Sequence, residues 1–293
     1  MEKEDKILIA TIEDKLEQAQ RSYMTVTSGF LDLRQKELVS SFLKSSPDVV
    51  MLKENPDGSV VDVDISGSGR VRTFFYGGYG DAERRVLVIL PEYAHVTDVV
   101  PDMHDNRESQ IDDMNSAEDC PLCILKVRTK GGMSRKLTHR DYLGSLLGLG
   151  IKREKVGDIL VLDDGADIIV LKELSEFLAV NYEKAGRTNL NVEICDITAL
   201  DVGKINIEER RDTVASLRLD SLVSSVFGIS RGKAQEAIKM GLVFVNSAQI
   251  SKADMMLGEG DKIVLRGRGK AVLREVAGRS KKDRIYVVFD KYV

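Results

Sequence analysis

The chain has 293 residues, of which 43% are hydrophobic and 31% charged, and its formal net charge at pH 7 is -4. This composition is typical of a globular protein with two or three domains and excludes collagen-like, coiled-coil and disordered classes. No apolar run reaches the ~18 residues of a membrane span and no leader opens the chain, which predicts a cytoplasmic protein without membrane contact. Three widely placed cysteines cannot form a disulfide framework, which also fits a reducing compartment.

The charges are unevenly distributed along the chain. Residues 204–293 contain 18 lysines and arginines against 11 acidic residues, whereas residues 1–203 contain 25 against 36. This split predicts that the C-terminal third contacts a polyanion. A chance excess of cations on a solvated surface is the alternative, so the decision rests on more specific patterns.

The first predicted region, residues 1–66, is mainly helical. Apolar residues from Leu8 to Tyr23 recur at spacings of three and four, as on one face of an amphipathic helix. A second helix is predicted at Asp32–Leu43. After a stretch of turn residues, the alternation at Val60–Ile65 predicts a half-buried strand.

The second predicted region, residues 67–200, is an α+β domain with an acidic insertion at 102–119 that has no apolar periodicity. From Pro121 onward the pattern predicts the element order β-α-β-β-α-β, which is that of a ferredoxin-like (RRM-like) domain. RNA-recognition domains of this fold stack bases on aromatic residues of the central strands. Here those strands carry valine, leucine and isoleucine, so a scaffold or protein-contacting role fits at least equally well.

The third predicted region, residues 214–272, is a compact module of two short helices on a small sheet. Leu219–Phe227 forms a helical apolar face, and Gly228 ends that helix. Ser230 is a natural N-cap for a second helix. A basic tail and a final strand, residues 273–293, are expected to pack on this module.

Polar residues of this module form a candidate RNA-binding surface. Arg231 and Lys233 lie in the first turn of the second helix, where free backbone N–H groups and the helix dipole favour a phosphate. Arg231, Gln235 and Lys239 recur every four residues, which predicts one outward stripe. Cations that could extend the same surface are Arg218, Arg266, Arg268 and Lys270. The alternative is a solvated basic face.

A possible second RNA contact lies in the middle domain. It comprises His139, Arg140, Lys152, Arg153 and Lys155. The first two follow Thr138, which with Asp141 predicts a capping box at the start of a helix. The three later cations form a loop cluster that could equally be a solvated turn.

The run from Arg218 to Asn246, continuing through Gly258–Leu265, resembles the S4 (S-four, alpha-L type) RNA-binding domain. The family usually has glycine after the asparagine, where this chain has Ser247, although Asn246 itself can adopt the left-handed conformation. The resemblance implies that the residues facing RNA are Arg218, Ser230, Arg231, Lys233, Lys239, Asn246 and Lys252.

Two further runs narrow the resemblance. F-F-Y-G-G-Y-G-D-A-E-R-R at 74–85 and T-H-R-D-Y-L-G-S-L-L-G-L-G-I-K-R-E-K-V-G-D-I-L-V at 138–161 resemble the YlmH family of bacterial RNA-binding proteins, often encoded beside cell-division genes. The resemblance implies a non-catalytic protein that binds rRNA and tRNA on the large ribosomal subunit, in rescue and quality control of stalled ribosomes. It implies no cofactor and no small-molecule substrate.

Two other classes of function stay open. An RNA-modifying enzyme could use the same module for substrate binding, and Arg218-Leu219-Asp220 copies a motif of pseudouridine synthases, but only 73 residues follow Asp220. A cell-division-associated interaction protein is the third reading. Cys120 and Cys123 form a C-x-x-C pair without a second pair, so no metal site is predicted.

Overall fold

A computed structural model describes residues 3–54, 59–101, 117, 119–130, 136–200, 207–246, 248–280 and 283–292. The chain divides into two compact units, residues 1–204 and 205–293. Within the described ranges, no helix is both long and apolar enough to cross a lipid bilayer. The acidic insertion predicted at 102–119 lies outside these ranges apart from residues 117 and 119.

The N-terminal unit begins with helices that cover a small sheet. Ile12, Leu16 and Ala19 of the first helix are buried against the sheet residues Phe75 and Leu87. The sheet has the strand order β1-β6-β5-β2, in which β2 and β5 are parallel and the other pairs antiparallel. The elements are α1 (Lys3–Ser22), β1 (Val26–Thr27), α2 (Leu33–Lys44), β2 (Val49–Met51), β3 (Lys53–Glu54), β4 (Val60–Val61), β5 (Val71–Tyr76), β6 (Val86–Leu90) and α3 (Val96–Val99).

The sheet changes the domain boundary expected between residues 66 and 67. Strands β1 and β2 precede that boundary and β5 and β6 follow it, yet all four belong to one hydrogen-bonded sheet. The reason is burial: every residue of β5 and β6 is buried, so neither strand can lie at a linker. Residues up to at least Leu90 therefore fold with the N-terminal helices.

A second sheet follows within the same unit, with the order β10-β11-β7-β9-β8 and antiparallel pairing throughout. Tyr142 and Leu146 of one helix and Leu178 of another are buried on one face of it. The helix α4 begins with the predicted capping box, in which the Thr138 side chain accepts from Asp141 N–H. The elements are β7 (Leu122–Thr129), α4 (His139–Gly148), β8 (Val156–Val161), β9 (Gly165–Leu171), α5 (Ser175–Asn181), β10 (Lys184–Ala185) and β11 (Thr188–Asp196).

The face of this sheet opposite the helices is covered by other parts of the unit. A Cβ at Gly78, whose φ is +88°, would lie 2.7 Å from Ile197 Cδ1 and 3.5 Å from Ile169 Cδ1. A Cβ at Gly157 would lie 2.7 Å from the ring of Phe30. The face on which RNA-recognition domains stack bases is therefore occupied by protein.

Asp158 of β8 links the second sheet to the turn after β5. Its Oδ2 accepts from the Tyr79 hydroxyl and from Glu83 N–H, both at 2.8 Å, and its Oδ1 accepts from Arg84 N–H at 3.1 Å. The Arg84 guanidinium donates in turn to Phe30 O at 2.8 Å. The run at 74–85 thus makes a structural junction within the unit.

We expect Asp158→Ala to destabilise the N-terminal unit by about 2–3 kcal/mol, because a half-buried carboxylate that accepts three hydrogen bonds leaves its donors unsatisfied when removed. Hydrogen exchange of the full-length protein, read by mass spectrometry over residues 71–90 and 156–171, measures the change in this unit alone. Asp163→Ala is the control, since that side chain is 85% exposed and solvent screens its ion pair with Lys136. Equal effects from the two substitutions would contradict the junction.

The C-terminal unit is a six-stranded sheet on which two helices pack. The strand order is β12-β17-β16-β15-β13-β14, and every pair is antiparallel. Leu222 and Val226 of the first helix and Ile238 of the second are buried against the sheet. The elements are β12 (Ile207–Val214), α6 (Leu219–Phe227), α7 (Arg231–Lys239), β13 (Val243–Val245), β14 (Ala248–Gln249), β15 (Lys262–Leu265), β16 (Gly269–Arg279) and β17 (Ile285–Tyr292).

The last strand is part of this core. β17 pairs with β16 on one side and with β12 on the other. Phe289 has no exposed surface and Val287 is 1% exposed, and both belong to the same apolar cluster as the helices. Residues 273–293, predicted as a basic tail and a final strand, thus supply β17 and the greater part of β16.

Candidate RNA interface

The two helices of the C-terminal unit meet in a tight turn set by local sequence. Gly228 ends α6 in the left-handed conformation, with φ +62°, and its N–H donates to Ser224 O. Ser230 caps α7 by accepting from Lys233 N–H at 3.3 Å. Both features follow the prediction, and they fix the start of α7 beside α6.

Asp220, in the first turn of α6, is the centre of this region. Its carboxylate accepts from Arg218 Nε at 3.2 Å and Nη2 at 3.4 Å, and from Arg231 Nε at 3.0 Å and Nη2 at 3.2 Å. Gln235 Nε2 donates to it at 2.7 Å. Two guanidinium forks and one amide therefore converge on a single carboxylate.

The carboxylate of Asp220 has no exposed surface. Burial alone would raise its pKa, but the hydrogen bonds from Arg218, Arg231 and Gln235 outweigh burial and lower the pKa from 3.8 to about 2. Asp220 is therefore ionised at every physiological pH. The cluster of two arginines and one aspartate carries a net charge of +1.

The stripe predicted along α7 is thus divided by the structure. Arg231 and Gln235 turn toward Asp220, although the Arg231 side chain is still 51% exposed. Lys233 and Lys239 are exposed on the same helix. Eight residue steps along a helix place the Cα atoms of residues 231 and 239 about 12 Å apart.

The loop that carries Lys252 lies along the start of α6. Leu219 N–H donates to Met255 O at 2.8 Å, and Asp220 N–H donates to Ala253 O at 3.0 Å. Lys252 is exposed in this loop. The loop therefore brings a cation near Arg218 that is 34 residues away in the sequence.

The turn between β15 and β16 lies near the other end of α7. Arg266 N–H donates to Leu242 O at 2.9 Å, just after α7, and Arg268 N–H donates to Leu265 O at 2.9 Å. Both arginine side chains are exposed. Both side chains therefore remain accessible, and their predicted contact with RNA stays a prediction.

Lys270 lies elsewhere, and its predicted role is corrected. It is only 6% exposed, and its Nζ lies 4.2 Å from the centre of the Tyr292 ring. The alternation of side chains along β16 directs Lys270 onto the sheet next to β17, where its ammonium makes a cation–π contact. Lys270 therefore stabilises the sheet and does not extend the exposed surface.

Asn246 adopts φ +50°, which confirms that it supplies the left-handed turn conformation. Its side chain is used within the turn: Nδ2 donates to Asp261 Oδ1 at 2.7 Å, and Oδ1 accepts from Lys262 N–H at 2.9 Å. The Ser230 hydroxyl likewise accepts from Lys233 N–H and caps α7. These two residues shape the surface through the backbone.

The second predicted contact is only partly exposed. Arg153 Nη1 donates to Val156 O and to Gly157 O, and burial together with nearby Arg84 lowers the pKa of Arg153 to about 10. Lys155 Nζ pairs with Glu173 Oε1 at 2.5 Å. Arg153 and Lys155 therefore hold the loop in place.

Arg140 and Lys152 are the exposed cations of this second group. His139 is also exposed, but desolvation and the charge of Arg153 lower the pKa of its imidazole. His139 is therefore neutral at pH 7 and can donate or accept a hydrogen bond without adding charge.

The cysteine pair is buried. Burial raises the pKa of both Cys120 and Cys123 to about 11, so neither thiol ionises at pH 7. In the described part of the chain, no group of three histidine, cysteine, aspartate or glutamate side chains is arranged to hold a metal ion.

Comparison with known families gives one match in the middle of the chain and one in the C-terminal unit. Residues 117–199 match the family described as "Putative RNA-binding domain in YlmH", and residues 217–263 match the S4 domain. The ribosome-associated protein quality control protein P2 of Bacillus subtilis is 32% identical over 237 residues, which cover 81% of this chain and 84% of that protein. The chain belongs to the YlmH family. Strands β12 and β17 lie outside both matched ranges.

Two other similarities are more limited. The chloroplastic RNA pseudouridine synthase 2 of Arabidopsis thaliana is 32% identical over 90 residues, which cover 28% of this chain and 21% of that protein. A solved structure, the cell division protein ylmH from Streptococcus pneumoniae, has a TM-score of 0.43 at 18% identity and covers 69% of this chain and 97% of its own.

The arrangement around Asp220 was not predicted from the sequence. In the sequence, Arg218-Leu219-Asp220 copies a motif of pseudouridine synthases, whereas the structure makes Asp220 the acceptor for side chains 11 and 15 residues farther along. A signal was present: Asp220 is an acid within the otherwise apolar stripe of α6. An acid in such a stripe requires donors nearby, because a buried carboxylate without them costs several kcal/mol.

Proposed function

We propose that this protein binds structured RNA, namely rRNA and tRNA on the large ribosomal subunit, and acts without catalysis in the quality control of stalled ribosomes. The observation that carries the proposal is the exposed basic surface along α7, with Arg231 and Lys233 at its start and Arg268 near its end. Phosphate contacts by such a surface position a protein on RNA. The relative in Bacillus subtilis, by its name a ribosome-associated quality control protein, supports the choice of the ribosome as the partner.

We assign the middle of the chain to the ferredoxin-like class and propose that it acts mainly as a scaffold. The antiparallel order β11-β7-β9-β8 with two helices on one face supports this class. Since its other face is covered by Phe30 and the turn at Gly78, the domain would meet RNA only at its edges, where Arg140 and Lys152 are exposed. The domain therefore acts as a scaffold with a small second RNA contact. The proposed place of action of the whole protein is the cytoplasm.

The burial of Asp220 argues against the pseudouridine synthase alternative, whose motif the tripeptide at 218–220 copies. Asp220 has no exposed surface and accepts hydrogen bonds from two arginines and a glutamine. A nucleophilic or acid–base carboxylate must reach its substrate. Asp220 in this position supports a binding role for the tripeptide at 218–220.

The proposal is tested by sedimentation of the tagged protein in a cell lysate at about 50 mM and about 200 mM salt, with sequencing of the RNA that co-purifies. We expect co-migration with the large subunit, a steep loss at the higher salt, and tRNA in the pellet. Migration as a free protein without RNA would contradict the proposal. Protein partners that survive nuclease treatment, without ribosomes, would instead support a cell-division-associated interaction protein.

A further inference from the structure

The two arginines around Asp220 are held from one side. Each uses Nε and Nη2 for the carboxylate, so Nη1 of both lies outside the fork. A guanidinium has five N–H donors in a rigid plane, and a fork on one edge leaves donors directed away from the carboxylate. The geometry therefore fixes the plane of each group and still leaves donors for a second anion.

The exposed fractions of the two arginine side chains indicate that a second anion would approach them from solvent. The side chain of Arg218 is 35% exposed and that of Arg231 is 51% exposed, while Asp220 has no exposed surface. The guanidinium groups thus cover the carboxylate and separate it from solvent. An RNA phosphate can therefore contact the arginines without approaching the carboxylate of the aspartate.

We propose that Asp220 is a positioning residue for RNA binding: it fixes the guanidinium groups of Arg218 and Arg231 side by side, so that together they bind the RNA phosphate backbone. The inference rests on the proposed function of this surface. Without Asp220, each arginine would have to be ordered when RNA binds, and the loss of side-chain freedom would lower the affinity. Gln235 contributes by donating to the same carboxylate.

Charge and positioning predict opposite results when Asp220 is changed. Asp220→Asn removes one negative charge from beneath a surface that binds a polyanion, so electrostatics alone predicts tighter binding. If Asp220 positions the arginines, the same substitution weakens binding, because an amide cannot accept two arginine forks. The direction of the change separates the two explanations.

The experiment compares Asp220→Asn with Glu236→Gln in the full-length protein. Glu236 is an exposed acid on α7 and gives the same change in charge without touching the cluster. Binding to bulk tRNA and to purified large ribosomal subunits is measured at several salt concentrations. We expect Asp220→Asn to bind about tenfold more weakly and Glu236→Gln to bind equally well or more tightly. Equal or tighter binding by a folded Asp220→Asn variant overturns the inference.

A second measurement needs no substitution. We expect the Nε–H groups of Arg218 and Arg231 to give sharp, dispersed NMR signals in the free protein, because each donates to a buried carboxylate and is protected from exchange. The two signals should keep the signature of this hydrogen bond as tRNA is added, while the Nη groups change. Loss of the Nε–H signature on RNA binding overturns the inference even if Asp220→Asn fails to fold.

The same measurements distinguish this inference from the function on which it rests. If Arg231→Glu with Lys233→Glu leaves the affinity for both RNAs unchanged, the proposed surface itself is wrong. If that variant loses affinity but Asp220→Asn behaves like Glu236→Gln, the surface stands and only the positioning role of Asp220 fails.

Discussion

Replacing Arg231 and Lys233 by glutamate is expected to weaken binding to purified large ribosomal subunits and to bulk tRNA by several kcal/mol, more than about a hundredfold at moderate salt. Both side chains lie in the first turn of α7 and are exposed, so the substitution replaces two cations by two anions at one site. The salt dependence of the affinity should fall as well, because fewer counterions are released when fewer phosphates are neutralised.

The matched control is Arg211→Glu with Arg279→Glu. These side chains are 77% and 61% exposed on other strands of the same unit, so the change in charge is identical while the start of α7 is untouched. We expect the control to lose much less affinity. Equal losses in both double variants would indicate a general electrostatic effect and contradict a specific surface.

The contact between Arg231 and Asp220 makes a folding check necessary for the first variant. A glutamate at 231 would face the buried carboxylate and lose two hydrogen bonds. Lys233→Glu alone leaves that cluster intact and should still reduce affinity by about tenfold. Full affinity in the single variant would show that Lys233 does not contact RNA.

Phe289→Ala is expected to destabilise the C-terminal unit by about 3–5 kcal/mol, the range for removing a fully buried aromatic side chain. Phe289 has no exposed surface and packs in the same cluster as α6 and α7. The substitution leaves a cavity that the neighbouring strands fill only partly. RNA affinity should fall with the fraction of folded protein, because the basic surface depends on the position of α7.

Hydrogen exchange of the full-length protein, read by mass spectrometry over residues 207–292, measures this effect in one unit at a time. Unfolding of the two units need not coincide, so a single transition for the whole chain would mix them. Tyr286→Ala is the control on the same strand: its side chain is 48% exposed, and we expect a loss below about 1 kcal/mol. A Phe289→Ala variant with wild-type protection would contradict the inclusion of β17 in the core.

Several features of this protein were decided by neighbours in the sequence. The C-terminal glycine of α6, the serine cap of α7 and the left-handed Asn246 are local conformations, and each follows from the residue type at one position. The capping box at Thr138 is of the same kind. Hydrophobic periodicity likewise placed the helices and strands after Pro121, because burial on one face imposes a repeat on the residues.

Other features depended on chain segments that meet only after folding. No local pattern places Gln235 on Asp220, Lys270 over Tyr292, or β5 beside β2. Each requires the tertiary position of a distant partner, and the sequence alone assigned Lys270 to the surface and divided the first sheet at residue 66. The RNA-binding module and its basic character can thus be predicted from the sequence, because they are properties of residue type and spacing. Which cations are exposed, and which acid accepts hydrogen bonds from them, depends on the folded chain, because burial is a property of all the atoms around a group.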